Sequence, residues 1–171
     1  GAVMARSDGA PDHSGGRTFW PGRWHGHDFV AVLSRIGKVA AASTAALLIQ
    51  RHQVDAIVFT GVAGGLGPDV QVGDAVVAEA FLQHDLDASP LFPRHVIPLD
   101  NLSRLPTDGG WRQRLHAAVV QAQRQMAQDW PQGWQGIDLR QAKLHQGLIL
   151  SGDRFVSTRA EQLALRTELP D

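Results

Sequence analysis

Three short glycine-containing segments carry the residues best suited to binding a small ligand. They are Ile36-Gly37-Lys38, TGVAGG at residues 60–65 and SGDRFV at residues 151–156. Each follows a predicted strand, and glycine there lets a ligand approach the backbone closely. The third segment adds an aromatic ring, Phe155, on which a flat base can stack, while loop N–H and C=O groups bind the base's polar edge. This third segment therefore suits a purine.

Taken alone, each segment also has a purely structural interpretation. Gly37 can serve a strand-to-helix turn, the glycines of residues 60–65 can serve a tight turn, and Phe155 can belong to the core. The segment at 60–65 is not a Walker A loop, because no Gly-Lys-Ser/Thr ending occurs in it. It is not a dinucleotide fingerprint either, because the spacing differs and no helix pattern follows. A phosphate cradle is thus disfavoured.

Histidines offer two weaker candidates for chemistry. His25 and His27 alternate on a predicted strand and could bind a metal, but a solvated hairpin is the favoured interpretation. His84-Asp85 could form an acid/base pair, although a structural hydrogen-bonded pair is favoured. We therefore expect no metal and no cofactor.

The elements predicted around these segments define an α/β protein. Apolar patterning predicts strands at 18–24, 29–34, 55–60, 75–82 and 143–151, and helices at 38–52, 111–130 and 159–169. The first two strands should form a hairpin around Gly26, and Ser157 or Thr158 should cap the last helix. Strand, helix and strand over 29–60 predict a parallel crossover. The expected fold is a mixed, largely parallel central sheet flanked by helices.

Composition narrows the function classes. The 171 residues include 43% hydrophobic and 19% charged residues, which is ordinary for a folded globular chain. Lys and Arg number 16 against 17 Asp and Glu, so neither nucleic acid nor an anionic membrane is an expected partner. The absence of Cys agrees with a reducing compartment, and we expect a cytoplasmic protein. We predict a tag, remnant or flexible segment at residues 1–16 and one partial α/β domain at 17–171.

Several motifs, taken in order, resemble those of one enzyme family. The chain has SRIGKVAA at 34–41, TGVAGGL at 60–66, VQVGDAVVAE at 70–79, QHD at 83–85 and LILSGDRFV at 148–156. These resemble the motifs S-G-I-G-K-V-A-A, T-G-S-A-G-G-L, V-G-D-I-V-V, Y-H-D and L-I-V-S-G-D-x-F-I of the bacterial 5′-methylthioadenosine/S-adenosylhomocysteine nucleosidases. The resemblance runs from about Trp20 to Pro170. It implies a nucleoside phosphorylase-like fold and hydrolysis of an N-glycosidic bond with release of adenine.

The resemblance also implies roles for single residues. Ile36 and the backbone of Val62, Ala63 and Gly64 would border the ribose and the nucleophile. Phe155 would stack on adenine, and the backbone of Val156 would bind the adenine edge, which favours 6-amino over 6-oxo purines.

A homodimer is implied too, because Leu91 or Phe92 would help to close the alkylthio pocket of a neighbouring subunit. Phe59 stands where related phosphorylases have a phosphate-binding Arg, and an apolar residue cannot bind an oxyanion. The resemblance therefore favours water over phosphate as the nucleophile.

Two departures from the family pattern shape the expected activity. Val62 replaces a Ser of the family, which removes one hydroxyl from the site. The family's general base, its Met-Glu pair and its Ser-Asp motif have no counterpart in these residues, so we assign no catalytic residue and expect the fold to lack terminal elements. The chain alone should be nearly inactive, because this chemistry needs leaving-group protonation and an activated water. Two alternatives stay open: an inert nucleoside-binding or dimerisation fragment, and a purine nucleoside phosphorylase.

Overall fold

A computed structural model describes residues 9–131 and 136–169 of the chain. These residues form two compact units, the first ending at Gly61 and the second beginning at Val62. Each unit contains one three-stranded sheet.

The first unit is an antiparallel meander followed by a helix. Its strands are β1 (Asp12–Ser14), β2 (Arg17–Trp24) and β3 (His27–Val32), which pair in the order β1-β2-β3. His25 and Gly26, between β2 and β3, both have positive φ, 50° and 82°, as a tight two-residue hairpin turn requires. The predicted hairpin around Gly26 is thus confirmed.

The first helix and its packing hold this unit together. Helix α1 spans Lys38–His52, the range predicted from the Ala-rich sequence. Phe19 of β2 is fully buried, and its ring lies 4.7 Å from the ring of His52. Arg51 of α1 donates from Nε to Asp12 Oδ2 of β1 at 2.6 Å. Strand β1 lies within the stretch expected to be a tag or loop, and we did not predict it; residues 1–8 lie outside the described residues.

The predicted strand at residues 55–60 is absent, and this prediction was wrong. These residues have no regular secondary structure, and Ile57 and Val58 are 47% and 46% exposed. A strand needs a hydrogen-bonded neighbour, and none of the strands in the described ranges pairs with this segment. An apolar run shows that a segment tends to be buried but not whether a partner strand is present. The parallel crossover predicted through α1 is therefore not formed either.

The second unit contains the mixed sheet. Strand β4 (Ala75–Gln83) pairs in parallel with β6 (Leu144–Ser151) along its length, while β5 (Leu105–Pro106) pairs with β4 in the antiparallel sense. Helix α2 (Gly109–Gln128) contacts both β4 and β6, and a 3-10 turn at Leu139–Gln141 precedes β6. Helix α3 (Arg159–Glu168) follows β6. The predicted α/β class with a mixed sheet is confirmed, although β4 and β6 form the parallel pair of the described strands and the sheet of the first unit is antiparallel.

The core of the second unit is small. Val77 and Leu82 of β4 and Leu165 of α3 are its buried apolar side chains among the described residues. None of the helices in the described ranges is long and apolar enough to cross a lipid bilayer.

Candidate functional site

Two sequence motifs meet where the parallel strands β4 and β6 end. His84 and Asp85 follow β4, and Gly152 follows β6. The register of the two strands ends at the pair Gln83 and Ser151, and the His84 N–H then donates to the Ser151 carbonyl at 3.0 Å. Carboxyl ends of parallel strands share one sheet edge, which is where ligands bind in such sheets. The QHD and SGDRFV segments thus lie side by side in the second unit.

Gly152 lies directly against the imidazole of His84. A β-carbon at Gly152 would collide with Nε2 of His84 and would lie 2.8 Å from its Cδ2, closer than real contacts allow. His84 is only 6% exposed, so its ring has little space into which it could move. Glycine is therefore required at position 152 for a steric reason and not for its backbone angles.

The loop after β6 is held by carboxylates at both ends. Asp85 Oδ2 accepts the Asp153 N–H at 2.7 Å. Glu161 Oε2 accepts the N–H of Ser157 at 3.2 Å and that of Thr158 at 3.0 Å. Thr158 also caps α3 through its hydroxyl, which accepts the Glu161 N–H, so a full capping box is present. The cap predicted at Ser157 or Thr158 is thus confirmed at Thr158.

These contacts stabilise the ionised form of the downstream carboxylate, Glu161. Three hydrogen bonds lower the pKa of Glu161 below its usual value of 4.5. The largest effect comes from the Thr158 N–H, followed by the Thr158 hydroxyl and then the Ser157 N–H. Glu161 therefore stays ionised at a lower pH than an ordinary glutamate does.

Phe155 lies between the two anchors and is 86% exposed. Val156, next to it, is half-buried. The alternative interpretation, in which Phe155 belongs to the core, therefore does not apply, and its ring presents apolar surface to solvent. A ring held on a short anchored loop at this edge can stack on a flat ligand.

A polar cavity of about 240 Å³ lies beside this loop in the second unit. His84 and Asp85 line it together with Arg94, Arg154, Glu161 and Glu168. Glu168 Oε1 lies 2.7 Å from Arg94 NH1 and 2.9 Å from His95 Nε2. Sequence reasoning missed these pairings, because Arg94 and His95 are more than seventy residues from Glu168 (94 and 95 against 168).

A second polar cluster lies at the opposite end of β4 and β6. Asp74 accepts hydrogen bonds from the N–H groups of Gln71 (2.9 Å) and Lys143 (2.8 Å) and lies 2.8 Å from His145 Nε2. These three contacts lower the pKa of Asp74 to about 2, and the Gln71 N–H has the largest effect. This aspartate belongs to the VQVGD segment, so the motif was visible in the sequence, but its structural role was not.

Apart from the half-buried Phe92, the remaining predicted site residues are exposed, and the described contacts do not bring them together. Ile36, in the first unit, is 99% exposed, and in the second unit Val62 is 105% and Leu91 84% exposed. Ala63 and Gly64 are exposed and Phe92 is half-buried. The hydrogen bonds and ring contacts of the described residues do not join Phe155 to Val62, Ala63 or Gly64.

The two weaker histidine candidates also have structural positions. His25 lies in the β2–β3 turn with its ring 5.3 Å from that of Trp24. In the part of the chain that the structure describes, no group of three or more His, Cys, Asp or Glu side chains could hold a metal ion. The backbone N–H of His84 donates to the Ser151 carbonyl, and the Asp85 carboxylate accepts the Asp153 N–H. These contacts favour the structural interpretation of this pair.

Comparison with known proteins adds independent information. The sequence pattern of the phosphorylase superfamily matches residues 7–171. A curated 5′-methylthioadenosine/S-adenosylhomocysteine nucleosidase of Colwellia psychrerythraea is 33% identical over 165 residues, which cover 96% of this chain and 63% of that protein. The chain thus spans less than two thirds of the length of this relative.

Solved structures of such nucleosidases resemble the chain as a whole. The Colwellia psychrerythraea enzyme in complex with adenine has 30% identity and a TM-score of 0.75, with 99% of this chain and 64% of that chain covered. The Helicobacter pylori enzyme with butyl-thio-DADMe-Immucillin-A has 27% identity and a TM-score of 0.79, with 99% and 65% covered.

Proposed function

The chain belongs to the phosphorylase superfamily, and on this premise we propose that its protein hydrolyses the N-glycosidic bond of 5′-methylthioadenosine and S-adenosylhomocysteine and releases adenine. The observation that carries the proposal is the exposed ring of Phe155 on the anchored loop after β6. The similarity to a nucleosidase solved with adenine supports it. No cofactor is part of the proposed reaction.

We propose that adenine binds at the loop after β6. The Phe155 ring stacks on the purine, and the backbone of Val156 binds its polar edge, which selects a 6-amino purine by donor and acceptor matching. Ile36 and the backbone of residues 62–64 take the roles that the family resemblance implies, next to the ribose and the nucleophile. Their apolar surface is exposed at Ile36 and Val62 and is thus available to a ligand.

Water is the proposed nucleophile. Phe59 replaces the phosphate-binding Arg of related phosphorylases, and its apolar ring, 72% exposed, cannot hold an oxyanion. A phosphorylase would instead form product only when phosphate is present. Adenine release measured with and without inorganic phosphate separates the two reactions.

The catalytic acid and base are proposed to lie outside residues 1–171. Glycosidic cleavage passes through an oxocarbenium-like state that needs leaving-group protonation and an activated water. We expect this chain to release almost no adenine and a version extended past Asp171, called the full-length protein below, to release it readily. Equal activity of both would show that the catalytic groups lie within the chain, and inactivity of both would favour an inert fragment that binds nucleoside or dimerises.

The assembly and compartment are further parts of the proposal. We propose a homodimer in which Leu91 or Phe92 closes the alkylthio pocket of the partner subunit; the 84% exposed side chain of Leu91 offers apolar surface for this contact. We also propose a cytoplasmic protein without nucleic-acid partners and a partial nucleosidase domain at residues 17–171. Sedimentation equilibrium of the full-length protein with Leu91→Asp tests the dimer, which this substitution should dissociate.

A further inference from the structure

Residues 154–156 lie between two backbone amides, and each of these amides donates to a carboxylate. At its upstream side the Asp153 N–H donates to Asp85 Oδ2 at 2.7 Å, and at its downstream side the Ser157 N–H donates to Glu161 Oε2 at 3.2 Å. Only residues 154–156 separate the two anchored amides. A span this short has few conformations once both ends are held, so the position of Phe155 depends on where the two carboxylates lie.

The two anchors have different origins. Glu161 belongs to the capping box of α3, so its position follows from the start of that helix. Asp85 belongs to neither the loop nor α3, and it follows β4. It therefore ties the loop to a neighbouring strand, and this contact is formed between residues 68 positions apart.

Asp85 is itself held in place by its neighbour. The His84 N–H donates to the Ser151 carbonyl at 3.0 Å, and the His84 ring fills the space where Gly152 has no side chain. Because His84 is only 6% exposed, its ring has little space in which to move. These contacts hold the backbone just before Asp85 against the end of β6.

We infer that Asp85, seated by His84, is a positioning residue for purine recognition: its hydrogen bond to the Asp153 amide sets the loop conformation that presents Phe155 and the Val156 backbone. The inference rests on the proposed function. Asp85 need not touch the substrate for this role. A loop that is already ordered binds its ligand with a smaller entropic cost, so the effect should appear in substrate and adenine affinity and not in the chemical step.

The test compares Asp85→Ala with Asp85→Asn in the full-length protein. Alanine removes the acceptor, whereas the Asn carbonyl oxygen can still accept the Asp153 N–H. We expect Asp85→Ala to raise KM for methylthioadenosine and Kd for adenine each about tenfold, with kcat changed by less than about twofold. Asp85→Asn should restore both constants to within about threefold of wild type.

Two further variants make the test specific. Gly152→Ala should raise KM in the same way, because the added β-carbon displaces the His84 ring that seats Asp85, and it tests the same anchor independently if Asp85→Ala unfolds. Asp138→Ala is the matched control: its carboxylate also accepts a backbone amide, from Arg140 at 3.0 Å, but at the 3-10 turn before β6. This control should leave KM and kcat unchanged.

The outcomes separate this inference from the proposed function. If the wild-type full-length protein, extended past Asp171, releases no adenine, the proposed function is overturned and the inference falls with it. If the wild-type protein is active but both Asp85→Ala and Gly152→Ala keep a wild-type KM, only the positioning role is overturned. A fall in kcat at unchanged KM would also contradict it, because that result assigns Asp85 to the chemical step.

Discussion

Replacing Phe155 by alanine should abolish most of the adenine affinity without weakening the fold. The ring is 86% exposed, so its removal takes almost no apolar surface out of the core. Stacking of a base on an aromatic ring contributes about 1 to 3 kcal/mol. The Kd for adenine should therefore rise roughly fivefold to 150-fold, while the midpoint of thermal unfolding should stay within about 1 °C of the wild type.

Isothermal titration calorimetry of the full-length protein with adenine measures this change. Val72→Ala is a suitable control, because Val72 is also largely exposed, at 81%, and lies outside the proposed site. It should bind adenine as the wild type does. Unchanged adenine affinity in Phe155→Ala would refute the assignment of the ring. A large drop in thermal stability would refute the claim that the ring is free of the core.

Substitutions at three other positions test how the second unit is stabilised. Leu82→Ala should lower the free energy of unfolding in urea by about 2 to 5 kcal/mol, because Leu82 is only 3% exposed. Thr158→Ala should lower it by about 1 kcal/mol through loss of the α3 cap, while Thr158→Ser should retain the cap. The pKa of Asp74 is about 2 in the folded protein against 3.8 ordinarily, so its stabilisation is present above pH 3.8 and is lost as the pH falls toward 2. The stability difference between wild type and Asp74→Asn in urea should therefore shrink over that range, and a constant difference would contradict this account.

Local patterns predicted the helices and most strands well. The Ala-rich run after Gly37 marks the bounds of α1, and the spacing of Thr158 and Glu161 matches the capping box that starts α3. In such cases a few adjacent residues determine the structure, so sequence alone is sufficient.

Features that depend on distant partners were not predictable. The segment 55–60 has the apolar residues of a buried strand, yet it lacks a paired neighbour in the described structure. The carboxylate of Asp74 meets His145, 71 residues away, and that of Asp85 meets the Asp153 amide, 68 residues away. Spacing along the chain contains no information about such contacts. The family resemblance identified both the QHD and the SGDRFV segments as family motifs. It did not reveal that Asp85 of the first accepts a hydrogen bond from the Asp153 amide of the second.

The most direct test of the proposed function is a crystal structure of the full-length protein with bound adenine. The account predicts that the purine lies flat against the Phe155 ring and that its polar edge is hydrogen-bonded to the Val156 backbone. Adenine bound elsewhere, with the Phe155 ring still in solvent, would contradict it.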